Sequence, residues 1–215
     1  HPRGRSRLMA PAKKQPNLLL IGLAVIVVLG IVAVVVSRGG DDDGGEDVSA
    51  QVAPVTVEGS PLVGHDSSAP SDAAVGVEAP VVSGTSFDGS EVTVGEGPAV
   101  VVFVAHWCPH CQAEVPVIAE WLASGDAPDD VALHAVSTSV DESAPNFPPS
   151  SWLADEGFDV PVLRDDADST AASAFGLTSF PYFVAIGADG TVVERASGEI
   201  GIERLEALLD AARGG

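Results

Sequence analysis

The chain has two cysteines, and they lie three residues apart in Cys108-Pro109-His110-Cys111. Two thiols at this spacing can close a small disulfide ring and reopen it. A structural bridge over so short a loop would constrain the unfolded chain little, so the spacing points to thiol–disulfide exchange. The nucleophile in that reaction is a thiolate. A helix N-terminus favours a thiolate, because unpaired N–H groups and the positive end of the helix dipole face it. The residues around Cys108 put it at such a terminus. Cys108 is therefore the attacking sulfur, and Cys111, one turn further in, resolves the mixed disulfide. His110 lies between them. Its cationic form would stabilise the Cys108 thiolate, favouring the reduced pair and making the disulfide more oxidising. Glu114 is one turn beyond Cys111, a spacing that permits a proton-relay role.

These side chains need a strand and a helix to hold them. The run Val100-Val101-Val102-Phe103-Val104-Ala105 has no polar residue. It fits a strand buried on both faces. From Cys108 onward the apolar residues Cys111, Val115, Ile118 and Leu122 recur at helical spacing. That helix is expected to end near Ser124-Gly125. The pair thus sits at a strand-to-helix turn.

At these residues the chain resembles the thioredoxin-like family. Trp107-Cys108-x-x-Cys111 after a buried strand is that family's signature. Pro116 resembles the proline that kinks its active-site helix. Glu114 is similar to the glutamate of the membrane-anchored TlpA/ResA-like branch. Val102 stands where cytosolic thioredoxins carry a buried aspartate, so an ordinary thioredoxin is disfavoured. Pro109-His110 resembles the dipeptide of DsbA-type oxidants. The resemblance implies an α/β thioredoxin-like fold, a central mixed sheet flanked by helices. It also implies that Pro181, in Thr178-Ser179-Phe180-Pro181-Tyr182, is cis and packs against the C-x-x-C. The Phe180 backbone would then pair with an incoming substrate chain. The activity implied is extracytoplasmic disulfide exchange with exported proteins, leaning toward oxidant. Two alternatives remain: a specific disulfide reductase, as for cytochrome c maturation, and a non-catalytic assembly or binding module.

Residues 18–36 are uncharged and almost wholly apolar, about the length needed to cross a bilayer. Ser37-Arg38-Gly39-Gly40 is a poor signal-peptide cleavage site, so an uncleaved anchor over residues 18–37 is expected. Arg3, Arg5, Arg7, Lys13 and Lys14 precede it without any acid. The positive-inside rule puts residues 1–17 in the cytoplasm and the rest outside. Met9, the single methionine, is a plausible initiator. Residues 38–51 read as an acidic, glycine-rich linker. Residues 52–215 read as the thioredoxin-like domain, with a core at 77–212.

The whole chain has 10 basic and 31 acidic residues, a net charge of −21. All the acids follow residue 38, where only Arg164, Arg195, Arg204 and Arg213 oppose them. That balance argues against a surface for nucleic acid or anionic lipid. The partners expected are exported protein thiols and disulfides, a membrane redox protein that recharges the site, and the bilayer itself through residues 18–37.

Further strands are expected at 55–57, 79–94 (a hairpin about Asp88-Gly89), 131–137, 160–163 at an edge, 181–186 (opened by Pro181) and 191–194. Helices are expected at 150–157, at 168–175 with Asp168 or Ser169 as cap, and at 200–212. His65 reads as a surface histidine in a loop. No cofactor is expected. His106, Cys108, His110 and Cys111 are clustered in sequence, but the strand–helix frame would spread them too far apart for tetrahedral zinc. The spacing also departs from that of Sco-type copper chaperones and from the peroxiredoxin loop.

Overall fold

The computed structural model describes residues 47–215. The expected cytoplasmic segment (1–17), the membrane span (18–37) and most of the linker (38–46) lie outside the described residues. Among the described residues no helix is long and apolar enough to cross a membrane.

In chain order the elements are α1 (Val48–Gln51), β1 (Thr56–Glu58), β2 (Val81–Thr85), β3 (Glu91–Val94), β4 (Ala99–Val104) and α2 (Pro109–Ser124). There follow β5 (Ala132–Ser137), α3 (Pro149–Asp155), β6 (Val162–Arg164), α4 (Thr170–Ala174), β7 (Tyr182–Ile186), β8 (Val192–Ser197) and α5 (Gly201–Gly214). Five strands form one mixed sheet in the order β6-β5-β4-β7-β8. β4 lies at its centre, parallel to β5 and antiparallel to β7. The proline-preceded β6 is at the edge, where a missing N–H costs no ladder bond. Strands β1, β2 and β3 form a separate antiparallel sheet. Its β2–β3 turn is made by Asp88, whose carboxylate accepts from the Ser90 N–H at 2.9 Å, and by Gly89 at φ +84°.

Every residue of β4 is buried. Alternation sends Val100, Val102 and Val104 to one face and Val101 and Phe103 to the other. The first set packs with Val115 and Ile118 of α2, Leu205 and Leu208 of α5, and Trp152 of α3. The second packs with Val82 and Val94 of the small sheet and with Ala171, Phe175 and Tyr182. α4 and the small sheet thus cover one face of the large sheet, and the three longer helices cover the other.

The structure differs from the sequence reading in four local ways. Within the expected linker, Val48–Gln51 form α1, capped by the Asp47 side chain, and Gln51 is buried where its Oε1 accepts from the Ser150 N–H at 3.1 Å. α3 starts after Pro148 without a side-chain cap, although Ser150 and Ser151 follow. α4 is shorter than expected and is not capped by Asp168 or Ser169. Its first N–H groups are taken by the buried Asp165 (Ala171 N at 2.8 Å, Ala172 N at 3.0 Å) and by Asp166 (Thr170 N at 2.9 Å). Ser169 itself sits at φ +55°.

The fourth difference is His65, which is 8% exposed rather than on the surface. Its ring packs 5.6 Å from that of Tyr182 and lies 3.7 Å from Asp72 Oδ2. Asp72 in turn takes a two-pronged bond from the buried Arg195, which also donates to the Val63 carbonyl and the Tyr182 hydroxyl. A buried guanidinium has to be paired in this way. The segment 62–65 is thereby strapped across the chain leading to β7. Leu62 N–H donates to Ala174 O, His65 N–H to Gly176 O, and the Thr178 hydroxyl to His65 O. Gly176, at φ +72°, is required there: a Cβ would come within 2.4 Å of the Val63 carbonyl oxygen.

Candidate active site

Cys108 follows the buried end of β4 and is the N-cap of α2. Its N–H donates to Ala105 O and its carbonyl accepts from Gln112 N–H, both at 3.0 Å, so the turn is tightly held. Pro109 occupies the first helical position, where a missing N–H is tolerated. Cys108 is 6% exposed and Cys111 is fully buried, both as free thiols. The Ala105 N–H points at the Cys111 sulfur at 3.5 Å. Burial pushes the Cys111 thiol well above the ordinary range, and the nearby Cys108 and Glu114 push the same way. The two sulfurs are thus unequal: one at the helix mouth, one sealed beneath it and held as a thiol.

Pro181 is preceded by a cis peptide bond from Phe180, as the family resemblance implies. Its carbonyl accepts from Gly198 N–H at 2.8 Å. The Phe180 ring meets the Trp107 ring edge-to-face at 5.7 Å. The proline loop therefore lies against the C-x-x-C loop. The Trp107 indole donates to Ser139 O at 2.7 Å. Val102 is fully buried in the same cluster as both cysteines, leaving an apolar floor where a carboxylate could have stood. Pro116 lies within α2, which continues through it to an αL cap at Gly125.

Glu114 is buried, and its Oε1 accepts from the N–H groups of Ile200 (3.1 Å) and Gly201 (2.8 Å). It caps the start of α5, a partner 86 residues away that local spacing could not reveal. His110 is exposed, and its Nδ1 lies 2.6 Å from Glu199 Oε1. Glu199 was not legible as a site residue: no motif contains it, and its only signal is its place before the last helix.

His106 is buried. One ring nitrogen, Nδ1, lies 2.8 Å from the Pro145 carbonyl, and the other, Nε2, accepts from Asp141 N–H at 3.2 Å. This pairing requires the neutral ring with its proton on Nδ1. Together with Asn146 and Gln112, which donate to its carbonyl, His106 ties loop 141–147 to the C-x-x-C turn. With His106 and His110 committed to different partners, the four potential ligands do not converge, and among the described residues no group is arranged to hold a metal.

A C-x-x-C at the mouth of the helix after a central buried strand, faced by a cis-proline, is the arrangement of a thioredoxin-like fold. Residues 74–209 match the Redoxin family, and the chain belongs to it. It is 32% identical over 113 residues to the soluble secreted antigen MPT53 of Mycobacterium tuberculosis (strain H37Rv), covering 53% of this chain and 60% of that protein. The chain thus spans about 60% of the length of the curated relatives it matches. Among solved structures it is similar to MTB dsbF in its mixed oxidized and reduced forms (25% identity, TM-score 0.50, 61% of this chain and 94% of that one). It is also similar to a putative thioredoxin from Neisseria meningitidis (26% identity, TM-score 0.51, 62% and 88%).

The buried imidazoles give the domain a pH dependence. Burial pushes His65, His106 and His134 below the ordinary histidine value. The unfolded chain takes up these protons near pH 6.5, the folded one only at lower pH. Below about pH 6.5 the unfolded state binds more protons, so stability is full above that pH and is lost as pH falls. Urea midpoints should decline between pH 7 and pH 5, with a smaller decline in His106→Gln. A flat profile would contradict the neutral, buried assignment.

Proposed function

We propose that the chain is a membrane-anchored thiol–disulfide oxidoreductase that exchanges disulfides with exported proteins outside the cytoplasm and works chiefly as an oxidant. The observation that carries the reading is the inequality of the two sulfurs, Cys108 at the N-terminus of α2 and Cys111 sealed under the Ala105 N–H. In the oxidising direction a client thiolate attacks Cys108 Sγ and the Cys108–Cys111 bond breaks. Cys111 leaves and takes up a proton, which its burial favours. A second client thiolate attacks the client sulfur of the mixed disulfide. Cys108 is expelled as a thiolate, the form that a helix N-terminus stabilises. A client chain would lie along the Phe180–Pro181 edge as an added strand.

His110 tunes the pair toward oxidation through its charge, and Glu114 relays the Cys111 proton while capping α5. The reduction potential of the full chain in detergent tests the direction. A value near that of strong oxidants, about −120 mV, is expected; a value near that of thioredoxin, about −270 mV, would mean a reductant recharged by a membrane partner. Cys108→Ser should abolish turnover of a disulfide substrate, and retained turnover would leave only a binding role.

Glu114→Gln keeps an acceptor for the Ile200 and Gly201 N–H groups but removes the charge. Exchange should lose its dependence on pH while the fold survives, and an unchanged pH–rate profile would eliminate the relay.

The anchor rests on the apolar run 18–36 and the basic residues before it. The full chain should remain in the membrane fraction after alkaline carbonate extraction, with its cysteine pair open to an impermeant thiol reagent added outside. Release by carbonate, or protection from the reagent, would refute the anchor or its orientation.

A further inference from the structure

The turn between β8 and α5 touches each part of the redox site. Gly198 N–H holds the Pro181 carbonyl, and the N–H groups of Ile200 and Gly201 hold Glu114. Between them Glu199 reaches His110, with side chains 50% and 65% exposed respectively. Exposed pairs contribute little to folding stability, so the fold alone gives no account of this contact. Its effect is on the imidazole. Glu199 occupies Nδ1, which fixes that nitrogen as the donor and sets the orientation of the ring.

We infer that Glu199 is a positioning residue of the redox pair, acting on Cys108 only through the His110 ring that it holds. The inference rests on the tuning role given to His110 above. The titratable group in contact with that ring is Glu199, from the facing turn; Cys108 and Cys111 flank His110 in sequence, and Glu114 lies one helical turn on. Among the described residues no other cation is paired with Glu199. Among the described residues there is no lysine, and the four arginines are engaged elsewhere: Arg164 with Thr85, Arg195 with Asp72, Arg204 with Glu194, and Arg213 with Asp130.

The test uses glutathione, which reads the pair whether or not any exported protein is a client. Two glutathione thiols reduce the Cys108–Cys111 bond and become glutathione disulfide. They leave a Cys108 thiolate and a Cys111 thiol, and the remaining proton goes to water. Only the thiolate product senses His110. The full chain, Glu199→Gln, His110→Ala and the double variant would be compared at pH 7 by this equilibrium and by the rate of Cys108 alkylation with iodoacetamide. With His110 present, Glu199→Gln should lower both by about two- to fivefold. In the His110→Ala background it should change neither.

Removing a bare negative charge near a thiolate has the opposite sign and would speed alkylation. Faster alkylation in both backgrounds, or no effect of Glu199→Gln when His110 is present, would therefore overturn the inference. If His110→Ala itself changes nothing, the role of His110 falls and that of Glu199 with it. Failure to oxidise exported proteins would count against the proposed activity without altering this readout.

Discussion

β4 has no solvent-facing side, and the site depends on that constraint. Its odd and even residues enter two different apolar clusters, so a shift of the strand would unpack both. The chain leaves this immobile strand at Ala105 and reaches Cys108 three residues later. The same Ala105 supplies the carbonyl that accepts the Cys108 N–H and the N–H that faces the Cys111 sulfur. One backbone unit at the end of a buried strand therefore sets the position of both sulfurs. The inequality between them follows from this, since α2 climbs outward from Cys108 while Cys111 is turned back over the strand end.

Around this fixed point the remaining parts arrive from distant stretches of sequence, and each is tied by a bond rather than by packing alone. His106 and Trp107 reach the loop after β5. Glu114 reaches the start of α5. Pro181 is held by Gly198, and its approach is held by the strap at 62–65. The result is a C-x-x-C turn braced on three sides by loops. Loops tolerate sequence change better than the sheet does, so this arrangement lets the surroundings of the pair vary while its geometry stays constant.

How far the sequence could be read follows from the range of each interaction. β4, α2 and the cysteines are legible because an all-apolar run and a helical period abut at one point. Pro181 is legible by resemblance, in a strand-opening place. The hairpin at Asp88-Gly89 and the turn at Asp189-Gly190 announce themselves locally. His65, His106, Glu114 and Glu199 are a different matter. Their neighbours in sequence say nothing of partners 35 to 113 residues away, such as Asp141 for His106 or Thr178 for His65. A loop histidine reads as exposed until the arginine and tyrosine that enclose it are seen.

The strap also bears on where the folding unit begins. Family similarity starts at residue 74, and the apolar pattern of the core is clear only from about 77. Yet Leu62 belongs to the buried cluster beneath Phe175 and Tyr182, Val63 supplies a carbonyl to the buried Arg195, and Ala53 donates to Asp165 O. A piece cut at the boundary of similarity would uncover that cluster and strip a buried guanidinium of its neutralising carboxylate, Asp72. The smallest autonomous domain is thus longer than the stretch that marks its ancestry, and the residues by which relatives are recognised are not the full set by which the chain stands alone.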